Sequence, residues 1–105
     1  MNTTKLVHLA TAREVYRRIR RTFVDGQADN AVYQIESDRV LAITVFVSKR
    51  QRDWALRNRE KMDHCGGAVR YVFDPIPTAQ IDRMLAAICG RCFRLVRPRR
   101  RRGAA

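Results

Sequence analysis

Residues 31–47 read Ala-Val-Tyr-Gln-Ile-Glu-Ser-Asp-Arg-Val-Leu-Ala-Ile-Thr-Val-Phe-Val, and their reading decides the fold. Ala31–Glu36 alternates in the manner of a strand. Ser37-Asp38 is a turn dipeptide. Arg39–Val47 is almost continuously apolar or β-branched, the pattern of a central strand buried on both sides. A hairpin of this kind needs further elements to cover it, and both flanks supply them.

Upstream, Lys5–Leu9 is short and apolar, a strand. Thr11 is an N-cap with Glu14 three residues on, a capping box. The helix it opens runs from Ala12 to Phe23, with Ala12, Val15, Tyr16, Ile19 and Phe23 recurring on one face. Asp25-Gly26 and Asp29-Asn30 mark the loop before the hairpin. Downstream, Ser48 caps a helix over 49–63 whose apolar face is Gln51, Ala55 and Met62, with Trp54 and Leu56 at its flanks. Gly66-Gly67 breaks it. Ala68–Phe73 is a fourth strand, ended by Asp74-Pro75-Ile76-Pro77. Thr78 caps a third helix with Ile81, Leu85, Ile88 and Cys92 on one stripe, ending at Gly90 or running on to Val96.

The order is strand–helix–strand–strand–helix–strand, then a helix. This predicts an α+β, ferredoxin-like split βαβ fold. Its four-stranded antiparallel sheet would carry two helices on one face and an added C-terminal helix. Residues 1–97 would form the single domain.

The chain has 105 residues and carries 22 Lys+Arg against 10 Asp+Glu, a net charge of +12. Nineteen of the cations are Arg. The length excludes two full domains. An apolar content of 46% excludes a wholly disordered basic chain. No apolar run approaches the roughly 20 residues of a membrane span. No signal-peptide pattern follows Met1, so a reducing, cytoplasmic setting is expected. Arg97-Pro-Arg-Arg-Arg-Arg102 repels itself, and residues 98–105 read as a disordered basic tail. Without that run, 17 Lys+Arg still face 10 acids, or +7. Such an excess attracts polyanions: nucleic acid, an anionic membrane surface or an acidic protein. Guanidinium groups fork onto phosphate and stack on bases, although a GC-rich genome would give the same Arg-over-Lys ratio.

Arg39-Val-Leu-Ala-Ile-Thr-Val-Phe46 resembles the longer RNA-contact motif of the RNA recognition motif (RRM) family, with Arg39, Ala42 and Phe46 matching. Ser48 and Ala55-Leu56 fall where that family often has Ser and Ala-Leu, and Gly67–Phe73 resembles its fourth strand. The topology extends the resemblance over residues 5–74. It implies the RRM-like fold. It does not carry over the base-stacking surface, because Leu41 and Ile43 occupy the positions of the stacking aromatics, Val40 replaces the usual Gly, and Leu6–Leu9 lacks the other aromatic motif. Leu41, Ile43, Val45 and Val47 would then make an apolar open sheet face. The third helix, a partner protein or a second copy in a homodimer would cover it. Separately, Tyr33–Asn58 resembles the strand-strand-helix ending of RelE/ParE-type ribosome-dependent toxins, although the residues ahead of it are too few for that family's strand and two helices.

The basic helix faces are the candidate site. At 100° per residue, Arg13, Arg17, Arg20 and Arg21 gather within roughly a third of the first helix. Arg50, Arg52, Arg57, Arg59 and Lys61 crowd the second. With Arg99, Arg100, Arg101 and Arg102 of the tail they would neutralise phosphates without reading sequence. The expected function is non-enzymatic nucleic-acid binding, RNA favoured, without a cofactor. The alternatives are a small inhibitor or adapter of mobile-element or anti-CRISPR type that docks on a nucleoprotein complex, and a RelE-like ribonuclease toxin. Cys65, Cys89 and Cys92, with His64, include a C-x-x-C and form a thiolate-imidazole set of the kind that binds zinc. Buried apolar cysteines on the third helix are the simpler reading, and no metal is expected.

Overall fold

The hairpin pairs as two antiparallel strands, β2 (Ala31–Glu36) and β3 (Arg39–Val45), around the Ser37-Asp38 turn. Ser37 takes a positive φ of 55° to close it. The computed structural model describes residues 3–90. Arg99–Arg102, the rest of the expected tail and Cys92 lie outside them.

Around the hairpin the order is β1 (Lys5–His8), α1 (Ala12–Val24), β2, β3, α2 (Lys49–Arg57), β4 (Val69–Pro77) and α3 (Thr78–Cys89). The α+β class and the order of elements are those read from the sequence. The sheet itself is mixed, where an antiparallel one was expected. Strands lie in the order β1-β4-β3-β2, and β1 runs parallel to β4. β1 is only four residues long and pairs along Val69–Val72 alone, so it lies at the outer edge of β4, where of its residues only Val7 is even half-buried. From there α1 crosses the sheet to β2 at the far edge.

Local chemistry starts the helices. Glu14 N–H donates to Thr11 Oγ1 at 3.1 Å, while Ala10 N–H donates to Glu14 Oε1 at 3.2 Å. Gln51 N–H donates to Ser48 Oγ at 3.1 Å. Each such cap stabilises its helix by about 1 kcal/mol. At α3 the capping position is Pro77 rather than Thr78, which is the first helical residue. Thr78 is buried, and its N–H donates to Asp38 O at 2.7 Å, tying the start of α3 to the hairpin turn. Gly90, at φ 71°, ends α3.

The main core lies between the sheet and α1 plus α3. Val15 and Ile19 of α1 and Ile81 and Leu85 of α3 are at most 1% exposed. They meet Ile43 of β3, Phe73 and Ile76 of β4 and the edge of Tyr33. Burying each such aliphatic side chain contributes roughly 1.5–3 kcal/mol. So α3 does cover Ile43 and Val45, as expected, but it shares that face with α1. The apolar row that motivated a second copy is therefore covered by the chain's own helices. Leu41 and Val47 do not belong to the row. Leu41 is the extra residue of a bulge, since Gln34 pairs with Ala42 and Ile35 with Val40. The bulge shifts the alternation by one, so that Val40 and Ile43 both face the core. Val47 lies beyond the strand and is 55% exposed.

Two further boundaries moved. The helix expected over 49–63 is α2 followed by a separate 3-10 segment, Arg59–His64, across a kink at Asn58 (φ −127°, ψ 59°). And β4 runs through Asp74-Pro75 to Pro77, with Ile76 opposite Val40. Pro75 is tolerated because it falls in the irregularity between the Val40 and Ala42 pairings, where no ladder N–H is required. A smaller core of Phe46, Ala55, Cys65 and Ala68 packs α2 against the end of the sheet.

Candidate nucleic-acid interface

The core stripe of α1 leaves its arginines on the outside. Arg13, Arg17, Arg20 and Arg21 are all exposed. Arg21 Nε lies 3.2 Å from Asp25 Oδ2, one turn on. Arg13, Arg17 and Arg20 have no acidic partner among the described residues. The expected grouping therefore holds for three of the four, with the fourth paired to an acid that competes with any outside anion.

The second helix divides its cations. Arg50 and Arg57 are exposed and unpaired among the described residues. Arg52 turns inward. Its Nη2 lies 3.0 Å from Asp53 Oδ1, and its Nη1 donates to the backbone oxygen of Asp29, tying α2 to the loop after α1. Arg59 and Lys61 sit past the Asn58 kink in the 3-10 segment, so they do not extend the face of α2. The single basic face expected over residues 50–61 is thus broken, because a 3-10 segment turns at a different period from an α-helix.

The sheet face away from α1 and α3 mixes apolar and polar residues. Ala42 and Thr44 are buried there, opposite Val72 and Arg70 of β4. Arg70 on β4 donates across them to Gln34 Oε1 on β2, and its Nη1 lies 3.7 Å from Asp63. No aromatic of β3 lies on this face, in keeping with the absence of a stacking platform.

At the sheet's end an open groove of about 690 Å³ runs between the start of α2 and the Gly66-Gly67 turn. Gln51 holds its two sides together. Its Oε1 accepts from Val47 N–H at 3.1 Å, and its Nε2 donates to Gly66 O at 3.0 Å. Gln51 was expected on the apolar face; Ser48-x-x-Gln51 is a capping box, and that signal would have placed it correctly. Trp54, 37% exposed, lines the same groove with Arg50 and His64.

The proposed zinc residues separate. Cys65 is 2% exposed in the small core, and His64 beside it is exposed. Burial pushes the Cys65 thiol above its ordinary value, and the Asp63 carboxylate adds to this. That disfavours the thiolate a metal needs. Cys89 is half-buried at the end of α3, near enough to Tyr33 to raise its phenol slightly. Among the described residues no three His, Cys, Asp or Glu side chains gather as a metal site. No helix among them is long and apolar enough to cross a membrane.

No protein-family model, no curated protein and no solved structure matches this chain.

Proposed function

We propose that this chain is a non-enzymatic nucleic-acid-binding protein that holds phosphates on Arg13, Arg17 and Arg20 of α1. Arg50, Arg57 and Arg59, and Arg99–Arg102, would add contacts. The observation that carries the reading is the row on α1: three exposed guanidinium groups on one helix face with no carboxylate among the described residues in ion-pair contact with them. Such groups release counterions when they meet phosphates, and this drives binding without regard to base sequence. RNA is favoured over DNA through the resemblance of Arg39–Phe46 to the RRM contact motif.

The test is a salt series of fluorescence anisotropy on nuclease-treated, full-length protein with single-stranded RNA. Affinity should fall steeply with salt. Replacing Arg13, Arg17 and Arg20 together by Ala should flatten the log–log slope by about 2, at ~0.7 per phosphate on a single strand. Binding that is absent at low salt for both RNA and DNA, or insensitive to salt, overturns the reading. Cleavage of the RNA would point instead to the toxin alternative.

One observation favours a second reading, a protein-docking module of inhibitor or adapter type. Val47 and Trp54 stay 55% and 37% exposed, and both line the groove beside α2. A stoichiometric protein that persists in pull-downs after nuclease treatment, and is lost with Val47→Asp, would support it.

A further inference from the structure

We infer that the groove between the start of α2 and the Gly66-Gly67 turn takes an unpaired base of a single-stranded nucleic acid, stacked on Trp54 with a neighbouring phosphate on Arg50. The inference rests on the nucleic-acid reading above and gives that reading a place where a base is held.

The sheet offers no ring for stacking, but α2 does. Trp54 is the chain's one tryptophan. It stands 37% exposed in the wall of a concavity of about 690 Å³. That volume lies within the roughly 300–1,000 Å³ of small-ligand sites. Arg50 lines the same groove four residues before Trp54, so the two are neighbours on one helix face. A planar ring beside a cation that has no acidic partner among the described residues suits a nucleotide on two counts, stacking and charge. The lining contains Arg50 and His64 and no Asp or Glu. An acidic peptide would use the cation and leave the ring in water. An apolar peptide would cover the ring and bury Arg50 without a partner, which is costly.

The groove is also held in shape before anything enters. Gln51 clamps Val47 to Gly66 through two hydrogen bonds. Gly67, at φ +83°, packs so closely on Val47 that a Cβ there would lie 2.6 Å from Val47 Cγ1. Pre-organisation of this kind lowers the entropic cost of ordering a ligand. The base must be free of a duplex to enter, so the site selects single strands.

Because Trp54 is the sole tryptophan, its fluorescence reports this groove alone. Full-length protein is titrated with a short oligouridylate and with an RNA duplex of equal length, following both tryptophan emission and anisotropy of a labelled strand. Quenching by the single strand and not by the duplex is expected. Trp54→Ala should weaken single-strand binding roughly 5- to 150-fold, from the ~1–3 kcal/mol of one stacked base. Trp54→Phe should retain most of the affinity. Far-UV circular dichroism should be unchanged in both variants, since the ring lies at the surface. Binding seen by anisotropy without quenching, equal quenching by the duplex, or full affinity in Trp54→Ala overturns the inference and leaves the arginine reading standing. No binding to either probe overturns both.

Discussion

The Arg18 guanidinium lies over the Tyr71 ring, 4.5 Å from its centroid. Arg18 belongs to α1 and Tyr71 to β4, so this cation is part of the seam between helix and sheet. Arg52 does comparable work between α2 and the Asp29 loop. The arginines therefore fall into two populations, one built into the fold and one facing solvent, although along the chain Arg17 and Arg18 are adjacent.

The two populations should separate in experiment. Arg18→Ala removes a cation–π contact worth about 0.5–1 kcal/mol together with the packing of its stem. Arg52→Ala removes hydrogen bonds to Asp53 and to Asp29 O, about 1–2 kcal/mol. Both should lower the urea midpoint and leave the salt slope of RNA binding almost unchanged. The Arg13, Arg17 and Arg20 triple variant should do the reverse, since surface charges without partners contribute little to stability. A full slope in the triple variant, or slope losses in Arg18→Ala matching it, would reject the division.

Gly67 is the position where backbone and packing both require glycine. Its φ of +83° is a region that other residues reach at a cost of about 1–2 kcal/mol. The Cβ of an alanine would also meet Val47 Cγ1 at 2.6 Å. Valine is stiff at χ1 and cannot easily swing aside. Gly67→Ala should therefore destabilise by about 2–4 kcal/mol in equilibrium unfolding. Adding Val47→Ala should restore the steric part and leave the dihedral part. An additive double variant would show that the close approach carries no energy.

Tyr33 gives the protein an alkaline limit. Burial in the main core, with a smaller contribution from Cys89, pushes its phenol up to about 12 from 10.0. In the unfolded chain the phenol loses its proton near the lower value. Between the two values the unfolded state is the more ionised, and stability falls as pH rises. Below 10.0 this group contributes no slope. The loss attributable to Tyr33 should be of the order of 2 kcal/mol by the upper end of that window. Tyr33→Phe should abolish that share, read as a shallower decline in urea midpoint with pH. An identical decline in the Phe variant would remove Tyr33 as the cause.

What could be read from the sequence was mostly local chemistry. Thr11 with Glu14 and Ser48 with Gln51 are capping pairs whose bonds form within one turn. The solvent-facing row of Arg13, Arg17 and Arg20 follows from helical period alone. What could not be read depends on partners distant along the chain. Nothing near Lys5–His8 specifies β4 as its neighbour or marks the segment as an edge. Nothing near Arg18 or Arg52 marks Tyr71 or the Asp29 carbonyl as their partners. The kink at Asn58 carries no glycine or proline, and the Gly66-Gly67 break suggested a longer helix. The bulge at Leu41 has no local sign at all, because one extra residue in a continuous apolar strand leaves the composition unchanged.

That bulge makes a sharp final test. Leu41 is half-buried, and its side chain is not part of the main core. Its backbone nonetheless takes the extra place in the pairing of β3 with β2. With Leu41 present, Val40 is fully buried opposite Ile76, and Ile43 is buried opposite Tyr71. Val40 and Ile43 are three residues apart, so regular alternation would send them to opposite faces, and the extra residue brings both to the core. Deleting Leu41 leaves them two apart, and regular alternation then keeps both in the core, with Val40 still opposite Ile35 and Ala42 still opposite Gln34. The deletion should therefore retain a cooperative urea transition and the near-UV circular dichroism signal, at a cost of less than about 2 kcal/mol for the half-buried side chain, close to that of Leu41→Ala. A deletion variant that loses the cooperative transition would show that the bulge itself is required, through the irregular pairing of β3 with β4.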